Sequence, residues 1–220
     1  MLGKKPLEHI VRPEGSEIDV ELLIHKSKDL AGNKPDLVAI DMPIAYSKIV
    51  SRRNSDDLVS KDFAARKCGT HSPTPIRPGP ISDRLSTSFQ QAGYPILTEL
   101  NKSPGIIEVY PHPALLHLMS EKERLPYKRD KIRTYWPQLT AHERKEKLLK
   151  QWSEIIKSLD KHIHGAANAM PLPDTIDPRW KHKSFEDMLD AIICTWVGIY
   201  YLNGNITPYG DKDSAIWIPS

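Results

Sequence analysis

Acidic side chains occupy three places in this 220-residue chain where a carboxylate can do chemistry. Asp41 follows an apolar run that ends at Ile40, and ligands of open α/β sheets bind beyond the carboxyl ends of such strands. Glu108 lies inside a second apolar run, where a buried charge is costly unless it is paired or bound to metal. Asp187 and Asp190 stand three residues apart in a helical pattern, so they share one face of the helix.

Each acid also has a purely structural interpretation. Asp41 could begin a turn, and Glu108 could face solvent from an edge strand. Asp187 could complement the dipole of a helix that begins near Ser184 in a capping-box pattern. Asp190 lies a turn further into the helix beside apolar neighbours, and it is therefore the strongest single candidate for a functional acid.

The helix that carries Asp190 has a face of small side chains. Ala191, Cys194 and Gly198 continue the face on which Asp187 and Asp190 lie. Small residues allow a helix to approach a sheet closely, so we expect both carboxylates to reach the strand ends.

Carboxylates from separate segments, without a Cys-His cluster, are the donors that Mg²⁺ or Mn²⁺ prefers. Such cations activate water and stabilise the leaving oxygen in phosphodiester hydrolysis. The two cysteines, Cys68 and Cys194, form neither a disulfide framework nor a zinc site, and they suggest a reducing compartment, the cytoplasm. Sequence fingerprints of P-loop enzymes, serine hydrolases and dinucleotide-binding enzymes are missing from the chain.

Basic side chains provide a less specific signal. Arg53, Lys128 and Arg133 are candidates for contact with substrate phosphates, although solvated surface charge is the alternative for each. The formal net charge is only +3, so any contact with nucleic acid must be local. No apolar run is long enough to span a membrane.

The pattern of strands and helices predicts one α/β domain over residues 1–220. Thr70–Pro80 contains four prolines and is expected to form a stiff, exposed loop at the rim of the site. Strands are predicted at 8–12, 36–40, 105–110 and, at the edge of the sheet, 214–219. Helices are predicted at 16–30, 57–68, 82–93, 113–119, 140–161 and 184–203.

Five short motifs, in this order and spacing, resemble the domain-of-unknown-function family 429. They are VAIDMP (38–43), IIEVYPHPAL (106–115), PYK with a following arginine (126–133), DMLDAIICTW (187–196) and AIWIP (215–219). The resemblance covers the chain from about residue 36 to its end.

The resemblance implies a ribonuclease-H-like fold, with a mixed sheet and helices on both of its faces. It also implies a metal-dependent nuclease in which Asp41, Glu108 and Asp190 hold Mg²⁺ or Mn²⁺, Asp187 assists, and nucleic acid is the partner. The usual first strands of that fold, with their metal-binding Asp, have no counterpart before Leu7, so the domain is expected to be N-terminally incomplete. The alternative is a non-catalytic binding or scaffold domain on the same fold.

Overall fold

The architecture is mixed α/β around one four-stranded sheet. A computed structural model describes residues 18–220, and all structural statements concern those residues. The strands are β1 (Leu37–Ile40), β2 (Gly105–Val109), β3 (Ile206–Gly210) and β4 (Ala215–Pro219). Their order in the sheet is β1-β2-β4-β3; β1, β2 and β4 are parallel to one another, and β3 runs antiparallel to β4.

Eight α-helices are found in the described part of the chain. They are α1 (Val20–Ala31), α2 (Asn54–Phe63), α3 (Pro80–Gln91), α4 (Pro111–Met119), α5 (Ile132–Tyr135), α6 (Ala141–Asp160), α7 (Ala166–Ala169) and α8 (Arg179–Leu202). None of the helices in residues 18–220 has the length and apolarity needed to cross a membrane.

Helices cover both faces of the sheet. Successive strand residues point to opposite sides, so each face has apolar side chains that a helix buries. In β2, Ile107 packs into the core formed with α4, α6 and α8, whereas Ile106 packs into the core formed with α1 and α3. In β4, Trp217 lies in the first core, and Ile216 contacts α2 in a third cluster. Helices on both faces were predicted, and the packing confirms them.

The long helix α8 lies close to β1. A methyl group built at Gly198 would be 3.5 Å from a Leu37 methyl carbon and 3.8 Å from the Ala39 Cβ, so the small side chain permits this approach. Cys194 is buried on the same side, as expected, whereas Ala191 is exposed.

Several predicted elements are confirmed and some expectations about their ends are wrong. The capping box of Thr140 and Glu143 begins α6, as predicted. The helix α8 begins at Arg179 after Pro178, not near Ser184, so Asp187 does not cap it. The strand β4 lies inside the sheet rather than at an edge. The edge strands are β1 and β3, and the pattern did not predict β3. The strand predicted at 8–12 lies outside the described residues.

Candidate functional site

A cavity of about 630 Å³, which we call the acidic cavity, opens at the carboxyl ends of β1 and β2. Its lining comes mainly from residues 41–43 after β1, residues 70–73 and 77–78, and residues 108–112 at the junction of β2 and α4, with Asp56 and Ile216. Tyr127 and Lys128 form a further wall. The cavity is therefore where a ligand is expected in an open α/β sheet.

Asp41 is the acid that is free to react in this cavity. It directly follows β1, its side chain reaches solvent in the cavity, and it makes no hydrogen bond or ion pair with the described residues. Protein nevertheless surrounds it on most sides. This desolvation, with the negative charge of Asp190, raises the pKa of Asp41 to about 7, while Lys128 opposes the rise. A carboxyl group in this state gains from binding a proton or a metal cation.

Asp190 lies behind the cavity wall on α8 and is buried. Its carboxylate accepts a hydrogen bond of 2.9 Å from the Tyr127 hydroxyl and one of 2.5 Å from the Lys128 ammonium group. Burial raises the pKa of Asp190, and the bonds from Lys128 and Tyr127 work against that rise. Asp190 thus holds two side chains that line the acidic cavity, and its charge acts on Asp41.

Glu108 is held by a buried ion-pair network rather than presented to the cavity as a free ligand. Arg53 donates to both of its oxygens, at 2.6 and 2.8 Å, and the Ile44 amide donates at 2.9 Å. Arg53 also donates at 2.9 Å to Asp56, which is only 2% exposed. The structure therefore does not present the Arg53 guanidinium to a phosphate. Instead, Arg53 connects the loop after β1 with the end of β2 and supports the floor of the cavity.

Asp187 lies apart from the acidic cavity and is exposed. It accepts a bond of 2.6 Å from Lys183. Candidate ligand atoms of Glu186, Asp187 and Asp190 lie within 4.8 Å of one another, a grouping that includes one acid the sequence analysis did not single out. Lys183 and Lys128 already contact this group, at 2.9 and 3.6 Å from Glu186, so protein cations neutralise much of its charge.

His112 is a further cavity residue, which the sequence pattern did not single out. Its ring lies against Tyr110 and Tyr127, with centroids 5.4 and 5.3 Å away, and its buried Nδ1 atom has no partner in the described residues. Burial, followed by the charges of nearby Arg124 and Lys128, lowers the pKa of His112 to about 2. It is a neutral imidazole. Its position directly after the strand-ending proline was the available signal.

The proline-rich loop is exposed over most of its length and lies at the rim of the acidic cavity, as predicted. Arg77 and His71 are exposed and line the cavity from this loop. The β-sheet pairing of this loop is limited to one isolated β-bridge, between Thr74 and Pro78. It thus brings an exposed positive charge, that of Arg77, to the rim of a cavity that contains acids.

The three predicted substrate-binding residues lie in three different settings. Lys128 lines the acidic cavity, and Arg53 is buried beneath it. Arg133 is exposed but lines a separate cleft with Arg129 and Arg179. Contact of Arg133 with a ligand in the acidic cavity therefore requires a ligand long enough to reach both.

Comparison with known proteins gives one match. The family described as "Protein of unknown function (DUF429)" matches residues 9–214. No curated protein and no solved structure matches the chain. The family description assigns no activity, so a function has to be argued from the side chains of the cavity.

Proposed function

The chain belongs to the DUF429 family, and from that premise we propose that it is a Mg²⁺- or Mn²⁺-dependent phosphodiesterase, a nuclease of ribonuclease-H-like fold. The observation that carries the proposal is Asp41, a carboxyl group without partners in the described residues at the end of β1, with a pKa raised to about 7. The mixed sheet with helices on both faces, crossed by α8 with its acid Asp190, supports the fold assignment.

The donors of the cavity favour a hard cation at Asp41 and make one of the predicted ligands, Glu108, less suitable. Asp41 has free carboxylate oxygens, and Asp190 supplies a second negative charge close to it. Each oxygen of Asp190 keeps accepting capacity beyond its bond to Tyr127 or Lys128. Glu108 fits less well, because its Oε2 atom already accepts from Arg53 and from the Ile44 amide, its Oε1 atom accepts from Arg53, and the guanidinium neutralises its charge. Asp41 would hold the ion, and the negative charge of Asp190, which acts on Asp41, would add to the attraction.

When bound at Asp41, Mg²⁺ or Mn²⁺ would polarise a phosphoryl oxygen and make water more acidic. The chain's own residues then bind and orient the ester. Lys128 provides an ammonium group in the cavity wall, and Arg77 provides an exposed guanidinium at the rim, both suited to phosphate oxygens. His112 is a neutral imidazole, so it can donate or accept one hydrogen bond with the substrate without repelling the metal cation.

A test of this proposal is calorimetric titration with Mn²⁺, combined with Mn²⁺-dependent cleavage of labelled single-stranded and duplex oligonucleotides. Asp41→Asn should lower the Mn²⁺ affinity by at least about tenfold, the smaller end of what outer-shell substitutions cost at metal sites. Cleavage should fall with it. Glu154→Gln, which removes an exposed carboxylate on α6, is the matched control and should change neither quantity. Equal Mn²⁺ affinity in both variants, or none in the unaltered protein, would overturn the proposal.

A non-catalytic binding domain is the second candidate. It is favoured by the protein cations that already neutralise two predicted ligands, Arg53 at Glu108 and Lys128 at Asp190. A binding domain of this kind needs no metal, and its ligand affinity would be the same in EDTA and in Mn²⁺. The titration described above separates the two functions.

A further inference from the structure

A second concave surface of about 360 Å³, which we call the basic cleft, is lined mainly by cations. Five basic side chains face one carboxylate there. The six charged residues are Arg129, Asp130, Arg133, Arg144, Lys145 and Arg179. A concave surface with such an excess of positive charge attracts anions.

The positive charge of the basic cleft is not cancelled inside the protein. Asp130 accepts from Arg179 at 2.9 Å and lies 3.7 Å from Arg129, so one carboxylate serves two guanidinium groups. Arg144 donates to the neutral carbonyl oxygens of Trp136 and Pro137, and these bonds fix its position without removing its charge.

Arg133 is the most available of these cations. It is exposed, and its guanidinium makes no hydrogen bond or ion pair with residues 18–220. Its planar group has five N–H donors, which match the oxygens of a phosphate in pairs. Arginine, rather than lysine, supplies four of the five cations, a composition suited to phosphate recognition.

The basic cleft and the acidic cavity share one short segment of backbone. Lys128 lines the acidic cavity, and the next residue, Arg129, lines the basic cleft. This segment is anchored from two helices: the Trp152 indole donates to the Tyr127 carbonyl at 2.8 Å, and Glu186 accepts from the Arg129 amide at 2.5 Å. One fixed segment therefore presents a cation to each concave surface.

We propose that the basic cleft binds backbone phosphates of a nucleic-acid strand that continues from the acidic cavity past Lys128 and Arg129. The inference rests on the proposed phosphodiesterase function and specifies its substrate as a polynucleotide. A mononucleotide or a small ester would need only one of the two concave surfaces. Trp180, 70% exposed and next to Arg179 in the chain, supplies an aromatic ring on which a base can stack.

Binding of a labelled twelve-nucleotide single strand, followed by fluorescence anisotropy in EDTA, tests this inference without catalysis. Arg133→Glu and Arg179→Glu should each weaken binding by about tenfold, the loss expected for a charged hydrogen bond. The slope of log affinity against log salt should become shallower by about 0.7 for each phosphate that the variant no longer neutralises. The control, Arg84→Glu, makes the same charge change at an exposed arginine of α3 that lines neither surface, and should leave the affinity within about twofold.

Three outcomes would overturn the inference: no binding by the unaltered protein, equal weakening by Arg84→Glu, or competition by poly-glutamate as strong as by unlabelled oligonucleotide. The last outcome would assign the cleft to an acidic polypeptide. Arg133 is exposed, so Arg133→Glu should keep the unaltered melting temperature and Mn²⁺ affinity. Oligonucleotide binding that depends on Arg133 in a protein without Mn²⁺ affinity would uphold the cleft and reject the phosphodiesterase.

Discussion

Replacing Arg53 by methionine is expected to destabilise the protein by about 3–5 kcal/mol at pH 7. Arg53 is 8% exposed and is the cation that neutralises both Glu108, 4% exposed, and Asp56. Removing it leaves two buried carboxylates unpaired, which is the costly way to break a buried ion pair. Glu108→Gln should cost less, about 1–3 kcal/mol, because glutamine keeps an acceptor oxygen and Arg53 keeps Asp56.

The cost of Arg53→Met should also depend on pH. Burial raises the pKa of Glu108 even with Arg53 present, and loss of the guanidinium removes the main opposing influence. In the variant, Glu108 therefore holds its proton in the folded state over a range of pH where it is ionised in the unfolded state. Stability of such a protein falls as pH rises through that range. The difference between variant and unaltered protein should be larger at pH 8 than at pH 5.

Urea unfolding, followed by tryptophan fluorescence at both pH values, measures these free energies. Arg84→Met is the matched control, since Arg84 is exposed on α3, and it should change stability by less than about 0.5 kcal/mol. A cost below about 1 kcal/mol for Arg53→Met, or a pH profile parallel to that of the unaltered protein, would refute the argument. Glu108 would then be stable without Arg53 and available to hold a metal ion.

Three further perturbations test the site and the scaffold separately. In EDTA, Asp41→Asn should raise the melting temperature at pH 8 and leave it unchanged at pH 4. The reason is that the pKa of Asp41 is raised to about 7 in the folded protein, so ionisation in the unfolded chain makes the folded protein less stable as pH rises above the unfolded pKa. A lower melting temperature of Asp41→Asn at pH 8 would contradict this. Lys128→Met should move the pKa of Asp41 above about 7, since Lys128 lowers it, and carboxyl-carbon NMR would detect the shift. Thr140→Ala should cost about 1 kcal/mol in urea unfolding because the side chain caps the Glu143 amide of α6, and Glu154→Gln provides the unperturbed comparison on the same helix.

Local patterns were sufficient to predict the strands β1 and β2 and the best-defined helix. The apolar runs at β1 and β2 each end at a polar residue or a proline, and Thr140 with Glu143 marks the start of α6. The pattern missed β3 because Pro208 and Gly210 are unfavourable strand residues, and they are tolerated where a strand forms the edge of the sheet.

The partners of the site residues could not be predicted from sequence spacing. Arg53 meets Glu108 across 55 positions, and Tyr127 meets Asp190 across 63. Burial of an arginine depends on such distant partners, so the local sequence around Arg53 indicated only a phosphate contact or a solvated surface charge. The position of Asp41 could be predicted from the sequence because it depends only on where a single strand ends. The catalytic roles of Asp41 and Asp190 remain predictions.

The position of β4 between β2 and β3 has a consequence for how the chain acquires its structure. The Trp217 indole of β4 donates to the Leu97 carbonyl across 120 positions, and the sheet is continuous only once β4 has been inserted. While residues 215–219 are still inside the ribosome, the nascent chain can form only the β1-β2 pair, and β3 has no strand to pair with. Folding of the sheet has to wait for these residues, and a cut that removes them would split the sheet rather than trim its border.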